Sequence, residues 1–136
     1  WPSSAHIMKA NTPRATVSSQ CAMAFLDLYD ATKDVEYLDI AASTCNLYLE
    51  DFNCHKDEEG DVCFSYTTQD NYIIHNASMF VAAVLLRTNA HRKNTDWEEL
   101  GIKAARFTAK HQLEKGEYFL KIMADSNSVN KFFEVK

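Results

Sequence analysis

Turn-forming residues are scarce in this chain: 3 Gly and 2 Pro among 136 residues leave little material for the tight turns of an all-β sandwich. Neither a GxGxxG nor a GxxxxGK[ST] stretch occurs, which disfavours a Rossmann or P-loop enzyme. No apolar run reaches the length of about 18 residues that a membrane helix needs. The start, Trp1-Pro2, has neither the basic segment nor the apolar core of a secretory signal and reads as that of a processed or partial chain. The four cysteines, at 21, 45, 54 and 63, are too few and too irregular for a disulfide framework, so a reducing cytoplasm is expected. A dense basic patch is also missing. With 14 Lys and Arg against 19 Asp and Glu, the net charge of -5 argues against nucleic acid and anionic membrane as partners.

What the chain does have is helical periodicity. Its 46% hydrophobic and 24% charged residues are those of a globular domain. Val17, Cys21, Ala24, Phe25, Leu28 and Tyr29 recur at steps of three and four, predicting a helix over 17–32 with that face buried. Asp34 is the expected N-cap of a second helix over 35–52, carrying Val35, Leu38, Ala42, Cys45, Leu49 and Phe52. The short link between them makes the pair antiparallel. The polar stretch 53–61 reads as an exposed loop. A third helix over 71–89 is apolar almost all round, hence buried on most sides. Thr95 and Glu98 have capping-box spacing before a fourth helix over 96–112, with Gly116 as its stop.

The fold class expected is therefore all-α, a single domain of antiparallel helical hairpins over 1–136. Leu38, Ile40, Ala42 and Cys45 are answered by Leu100, Ile102, Ala104 and Phe107, a repeat of about 62 residues. Two stacked hairpins leave an apolar flank open, which implies self-association or the remainder of a larger array. Ser126-Asn127-Ser128 reads as a cap entering a further helix over 129–136.

Helices 1 and 3 begin at the end where the long loop lies, so their N-termini share one mouth. Ser19 and Gln20 of the first, and Ser65, Tyr66, Thr67, Asp70, His75 and Asn76 around the third, are its polar residues. Open N–H groups there suit carboxylate or hydroxyl-rich ligands such as acidic sugars. The segment Phe64-Ser65-Tyr66-Thr67-Thr68-Gln69-Asp70, then Ile74-His75-Asn76-Ala77, resembles bacterial α/α-toroid proteins associated with surface-polysaccharide biosynthesis. Those show F-S-Y-T-P-x-D, then V-H-N-A-N at a helix start, then a hairpin ending near a Gln, here Gln112. Thr68, Ile74 and Ser78 replace Pro, Val and Asn. The resemblance implies part of an (α/α)n toroid of about six hairpins, acting on or binding carbohydrate. No cofactor is expected. Some proteins of this look carry the label delta-aminolevulinic acid dehydratase, but that enzyme is a (β/α)8 barrel with a Schiff-base lysine, and no strand–helix alternation exists here.

Two roles are open for each candidate. Tyr66, His75 and Asp70 form a catalytic set if Tyr66 protonates a leaving oxygen and His75 serves as acid or base. Ser65, Thr67, Asn76, Ser19 and Gln20 then bind substrate. Alternatively, Tyr66 packs its ring, His75 fixes the loop, Asp70 caps helix 3, and the chain is a non-catalytic module that binds a glycan or protein partner. Cys54, His55, Cys63 and His75 match no zinc spacing, so no metal is expected. The acidic run 57–59 is a solvated tip, Cys21 and Cys45 are small core residues, and the sequon Asn76-Ala77-Ser78 lies inside a helix start.

Overall fold

A computed structural model describes residues 9–112, together with the backbone of residues 119–121 and 132–134. Four helices dominate: α1 (Ala15–Thr32), α2 (Val35–Glu50), α3 (His75–His91) and α4 (Thr95–Lys110). The chain is nevertheless not purely helical. Strands β1 (Cys54–Lys56) and β2 (Val62–Phe64) form one antiparallel ribbon, and β3 (Phe119–Lys121) and β4 (Phe132–Glu134) another. The ribbon formed by β3 and β4 stands where a fifth helix over 129–136 was expected. The expected stop at Gly116 and cap at 126–128 lie outside the described residues.

The hairpins form as their links dictate. Lys33 takes a left-handed φ of 62°, its N–H bonds the Tyr29 carbonyl, and the Asp34 carboxylate accepts from the Glu36 N–H to open α2. At the second link the cap is Asn94, not the Thr95/Glu98 box. Its Oδ1 accepts from the Asp96 and Trp97 N–H groups, while Glu98 accepts from Asn89 Nδ2 at 3.3 Å. The two hairpins repeat with an offset of 60 residues, Ala15 to His75 and Val35 to Thr95.

α1 and α3 run parallel. At one end the Ala15 N–H donates to the Tyr66 carbonyl at 2.8 Å, just ahead of α3. At the other, Arg87 of α3 meets Asp27 and Asp30 of α1 at 2.6 and 2.7 Å, and Tyr29 meets the His91 ring edge-on. α3 touches all three other helices and carries the largest set of buried residues, as its all-round apolarity predicts. Tyr48, Phe64, Phe107, Leu26 and Leu85 are the largest fully buried side chains, each contributing about 1.5–3 kcal/mol of apolar burial.

The stripe expected to bury α1 is the wrong one. The helix turns Ala15, Ser19, Ala22 and Leu26 inward, and Val17, Cys21, Ala24 and Leu28 face outward. Cys21 is thus exposed, whereas Cys45 is in the core. α1 has two apolar stripes, and the inner one, Ala15, Ala22 and Leu26, is the one buried where α1 meets α2 and α3.

The polar stretch 53–61 is a β-hairpin rather than a loop. Asp57 Oδ1 accepts from the Glu59 and Asp61 N–H groups, and Gly60 supplies the positive φ of 81° that closes the turn. The tip is not merely solvated. Asp61, 2% exposed, is held by Arg106 Nε at 2.9 Å and by Lys110, whose hydrogen bond keeps the carboxyl below its usual range. The ribbon is thereby fastened to α4.

Candidate functional site

The segment 65–70 folds around one carboxylate. Asp70 Oδ1 accepts from the N–H groups of Tyr66 at 3.1 Å and Tyr72 at 3.0 Å. Its Oδ2 accepts from the Thr67 N–H at 2.8 Å and the Thr67 hydroxyl at 2.5 Å. The same hydroxyl accepts from the Gln69 N–H at 3.1 Å. Ser65 donates its hydroxyl to the Thr67 carbonyl at 2.6 Å. Three further bonds anchor this knot: Ser65 N–H to the Asn53 carbonyl, Asn53 Nδ2 to the Asp70 carbonyl, and Ala15 N–H to the Tyr66 carbonyl. Both carboxylate oxygens of Asp70 are committed to the loop's own donors. Asp70 does not cap α3, because that helix starts at His75 behind Ile74, a residue without a capping side chain.

The remaining candidates are placed unevenly. His75 and Asn76 occupy the first turn of α3 and line an open groove of about 430 Å³ with Met79, Phe80, Ala83 and Thr108. Tyr66 packs against the main core cluster and does not line this groove, so the expected convergence of Tyr66 and His75 is not found there. Ser65 lines a second cavity of about 180 Å³ with Cys54, His55 and Cys63. Thr67 is buried within the knot. Ser19 is buried and hydrogen-bonds Tyr48 at 2.7 Å, because its turn of α1 faces α2; Gln20 beside it is exposed. Neither Ser19 nor Gln20 lines either cavity. Ser78 is fully buried and accepts from the Phe64 N–H at 3.1 Å, which ties the first turn of α3 to β2.

Sequence reasoning missed what surrounds His75. The ring, in a residue only 6% exposed, stacks on Phe107 at 5.8 Å and lies 5.4 Å from the His111 ring, both from the last turns of α4. His111 itself stacks on Phe107 at 4.4 Å and bonds the Phe107 carbonyl through Nδ1 at 2.7 Å. Burial, then the neighbouring His111, lowers the pKa of His75 and favours its neutral form. The groove wall was also unforeseen. Asn76, Met79, Phe80 and Ala83 recur at steps of three, one and three on the outward face of α3, a signal hidden because apolar residues fill the inward face as well. Thr108 arrives from α4, sixty residues along the repeat from Tyr48, and no local pattern marks it.

The second cavity is chemically quiet. Desolvation, then the nearby Cys63, pushes the Cys54 thiol up to about 11, and burial raises Cys63 as well, so both stay protonated near neutral pH. Among the described residues no group of three or more His, Cys, Asp or Glu side chains is gathered to hold a metal ion. Among them, too, no helix is long and apolar enough to cross a membrane.

No family model matches the chain, and neither a curated protein nor a solved structure does.

Proposed function

We propose that this chain is a helical-hairpin module of the α/α-toroid type that binds a glycan without transforming it, its ligand lying in the groove where α3 begins. The observation that carries this reading is the commitment of Asp70. Four internal hydrogen bonds make the carboxylate of Asp70 a structural brace, spent on the loop's own donors rather than offered to a ligand as a general base. The parallel α1 and α3, the repeat of 60 residues and the outward apolar stripe of Val17, Cys21, Ala24 and Leu28 support an array in which further hairpins, or further copies, pack alongside. The carbohydrate setting rests on the resemblance of residues 64–77 to polysaccharide-associated toroids. Four free thiols fit a reducing compartment such as the cytoplasm.

A catalytic reading has one observation in its favour, the buried His75 with its lowered pKa at the edge of an open groove. Calorimetric titration with neutral and uronic-acid oligosaccharides, followed by product analysis of the same mixtures, separates the two. The module reading expects saturable binding that Asn76→Ala weakens and Tyr66→Phe leaves alone, with no product. Product whose formation disappears in His75→Gln at unchanged helix content overturns it in favour of an enzyme.

A further inference from the structure

The step of 60 residues that relates the two hairpins also relates two exposed helix faces to two buried ones. α3 turns Ala77, Val81, Val84 and Thr88 toward the first hairpin, all of them fully buried. The first three share the main core cluster with Ala15 and Ala22 of α1, and the Cys45 thiol of α2 donates to the Val84 carbonyl at 4.0 Å. Sixty residues earlier stand Val17, Cys21, Ala24 and Leu28, the outward stripe of α1, and every one is exposed. The receiving side of the same interface is marked on α1 by Met23 and Asp27, both in contact with Arg87, with Ser19 one turn ahead of them. Their counterparts on α3 are Ala83, Arg87 and Met79. Met79 and Ala83 are exposed and, with Phe80, form the apolar wall of the groove. The chain thus carries an exposed counterpart of each half of its own interface between α1 and α3, the incoming half on α1 and the receiving half on α3.

Residue chemistry agrees with joining the two. Ala22 and Leu26, which shape the receiving helix of the buried interface, recur unchanged as Ala82 and Leu86. Within the chain, Asp27 of the receiving helix pairs with Arg87 of the incoming one at 2.6 Å. Between copies the two positions trade places, with Arg87 on the receiving helix and Asp27 on the incoming one, so the charges are again opposite. The Asp27 side chain, 71% exposed, has room for a second guanidinium. Val17 and Leu28, 50% and 43% exposed, gain from burial against Met79 and Phe80.

We propose that the outward face of α3 receives α1 of a second copy of this chain, head to tail, repeating between copies the contact that α1 and α3 make within one. Such a contact is heterologous, so copies add one after another into a ring or an open row. The incoming α1 lies along Met79, Phe80 and Ala83 and closes the groove, so a second copy and a groove ligand exclude each other. That exclusion rests on the reading of the groove as the module's ligand site; the docking does not.

The test pairs two variants of the whole chain. Ala24→Glu with Leu28→Glu removes the incoming face, and Met79→Glu with Ala83→Glu removes the receiving face. All four positions are exposed, so helix content by circular dichroism should hold. Ala24→Glu and Ala83→Glu alone serve the same test if either pair lowers it. In sedimentation at rising concentration the unaltered chain should grow past a dimer and each variant should stay monomeric. An equimolar mixture of the two variants should form a species of twice the monomer mass and nothing larger, because one receiving and one incoming face remain intact. A variant that dimerises by itself, a mixture that stays monomeric, or an unaltered chain that is monomeric at millimolar concentration overturns the docking. Titration with neutral and uronic-acid oligosaccharides keeps the two readings apart: one that binds the Ala24→Glu, Leu28→Glu variant alone should split the mixed dimer. Binding without splitting overturns the exclusion. A mixed dimer whose Ala24→Glu, Leu28→Glu partner binds no oligosaccharide upholds the docking and sinks the ligand-site reading, whereas oligosaccharide bound by a mixture that never pairs does the reverse.

Discussion

Replacing Asp70 by Ala removes the acceptor of four hydrogen bonds at once, those from the Tyr66, Thr67 and Tyr72 N–H groups and the Thr67 hydroxyl. Bonds to a charged group contribute about 1.5–3 kcal/mol each in isolation. The site is half-buried, so water takes over part of the work, and bonds sharing one carboxylate are not additive. Half the lower end of the gross sum, about 3 kcal/mol, is the expected loss, which for a domain of this size lowers Tm by about 12 °C. Asp70→Asn keeps one acceptor oxygen but turns an NH2 group toward N–H donors, so its loss should be nearly as large, about 2 kcal/mol. Urea denaturation of both variants, with helix content from circular dichroism, measures this directly. A loss below about 0.5 kcal/mol, accompanied by loss of a ligand-dependent signal, would show that the carboxylate is free to act on a ligand and would refute the brace.

Other outcomes follow from particular contacts. Tyr48→Phe strips the buried Ser19 hydroxyl of its 2.7 Å partner and should cost about 1–2 kcal/mol in the same urea assay. Because the pKa of His75 is lowered in the folded chain, the unfolded chain binds the proton more readily. Stability is therefore complete above the unfolded value near 6.5 and declines as pH falls from there through the lower folded value, and His75→Gln should flatten a thermal-melt profile below about pH 6.5. Asp61→Asn should loosen the ribbon of β1 and β2 from α4, read as faster hydrogen exchange at residues 54–64, with the four helices unaffected. Ala24→Glu with Leu28→Glu, both on the outward stripe of α1, should abolish any self-association seen in sedimentation without changing Tm by more than a few degrees.

The helices were legible from their apolar residues at steps of three and four, and α2 also from its cap: Asp34 sits where a cap was expected and functions as one. Which face turns inward was not legible for α1, since Val17, Cys21, Ala24 and Leu28 make as good a stripe as Ala15, Ala22 and Leu26; the choice is made by neighbours far along the chain. The ribbon of β1 and β2 was hidden by the charge of 56–61, and only the apolar Val62-Cys63-Phe64 hinted at a buried strand. α3 starts at 75 rather than 71: the Asp70 carboxylate takes the N–H groups of Tyr66, Thr67 and Tyr72 while residues 71–74 stay outside the helix, an arrangement that the cap-like spacing alone does not reveal. His75 and Asn76, neighbours in the sequence, line one groove at the start of α3. Their partners Phe107, Thr108 and His111 come from the end of α4, and only the packing of α3 against α4 brings them there.

The central claim is that the groove at the start of α3 receives the ligand while the segment 65–70 only holds the fold. Backbone amide spectra of the 15N-labelled chain, recorded during titration with a neutral oligosaccharide, test it most directly. The account predicts that shifts concentrate at His75, Asn76, Met79, Phe80, Ala83 and Thr108, and that Tyr66, Thr67 and Asp70 hold their positions. Shifts centred on Tyr66 and Asp70, with the α3 groove unmoved, would contradict it.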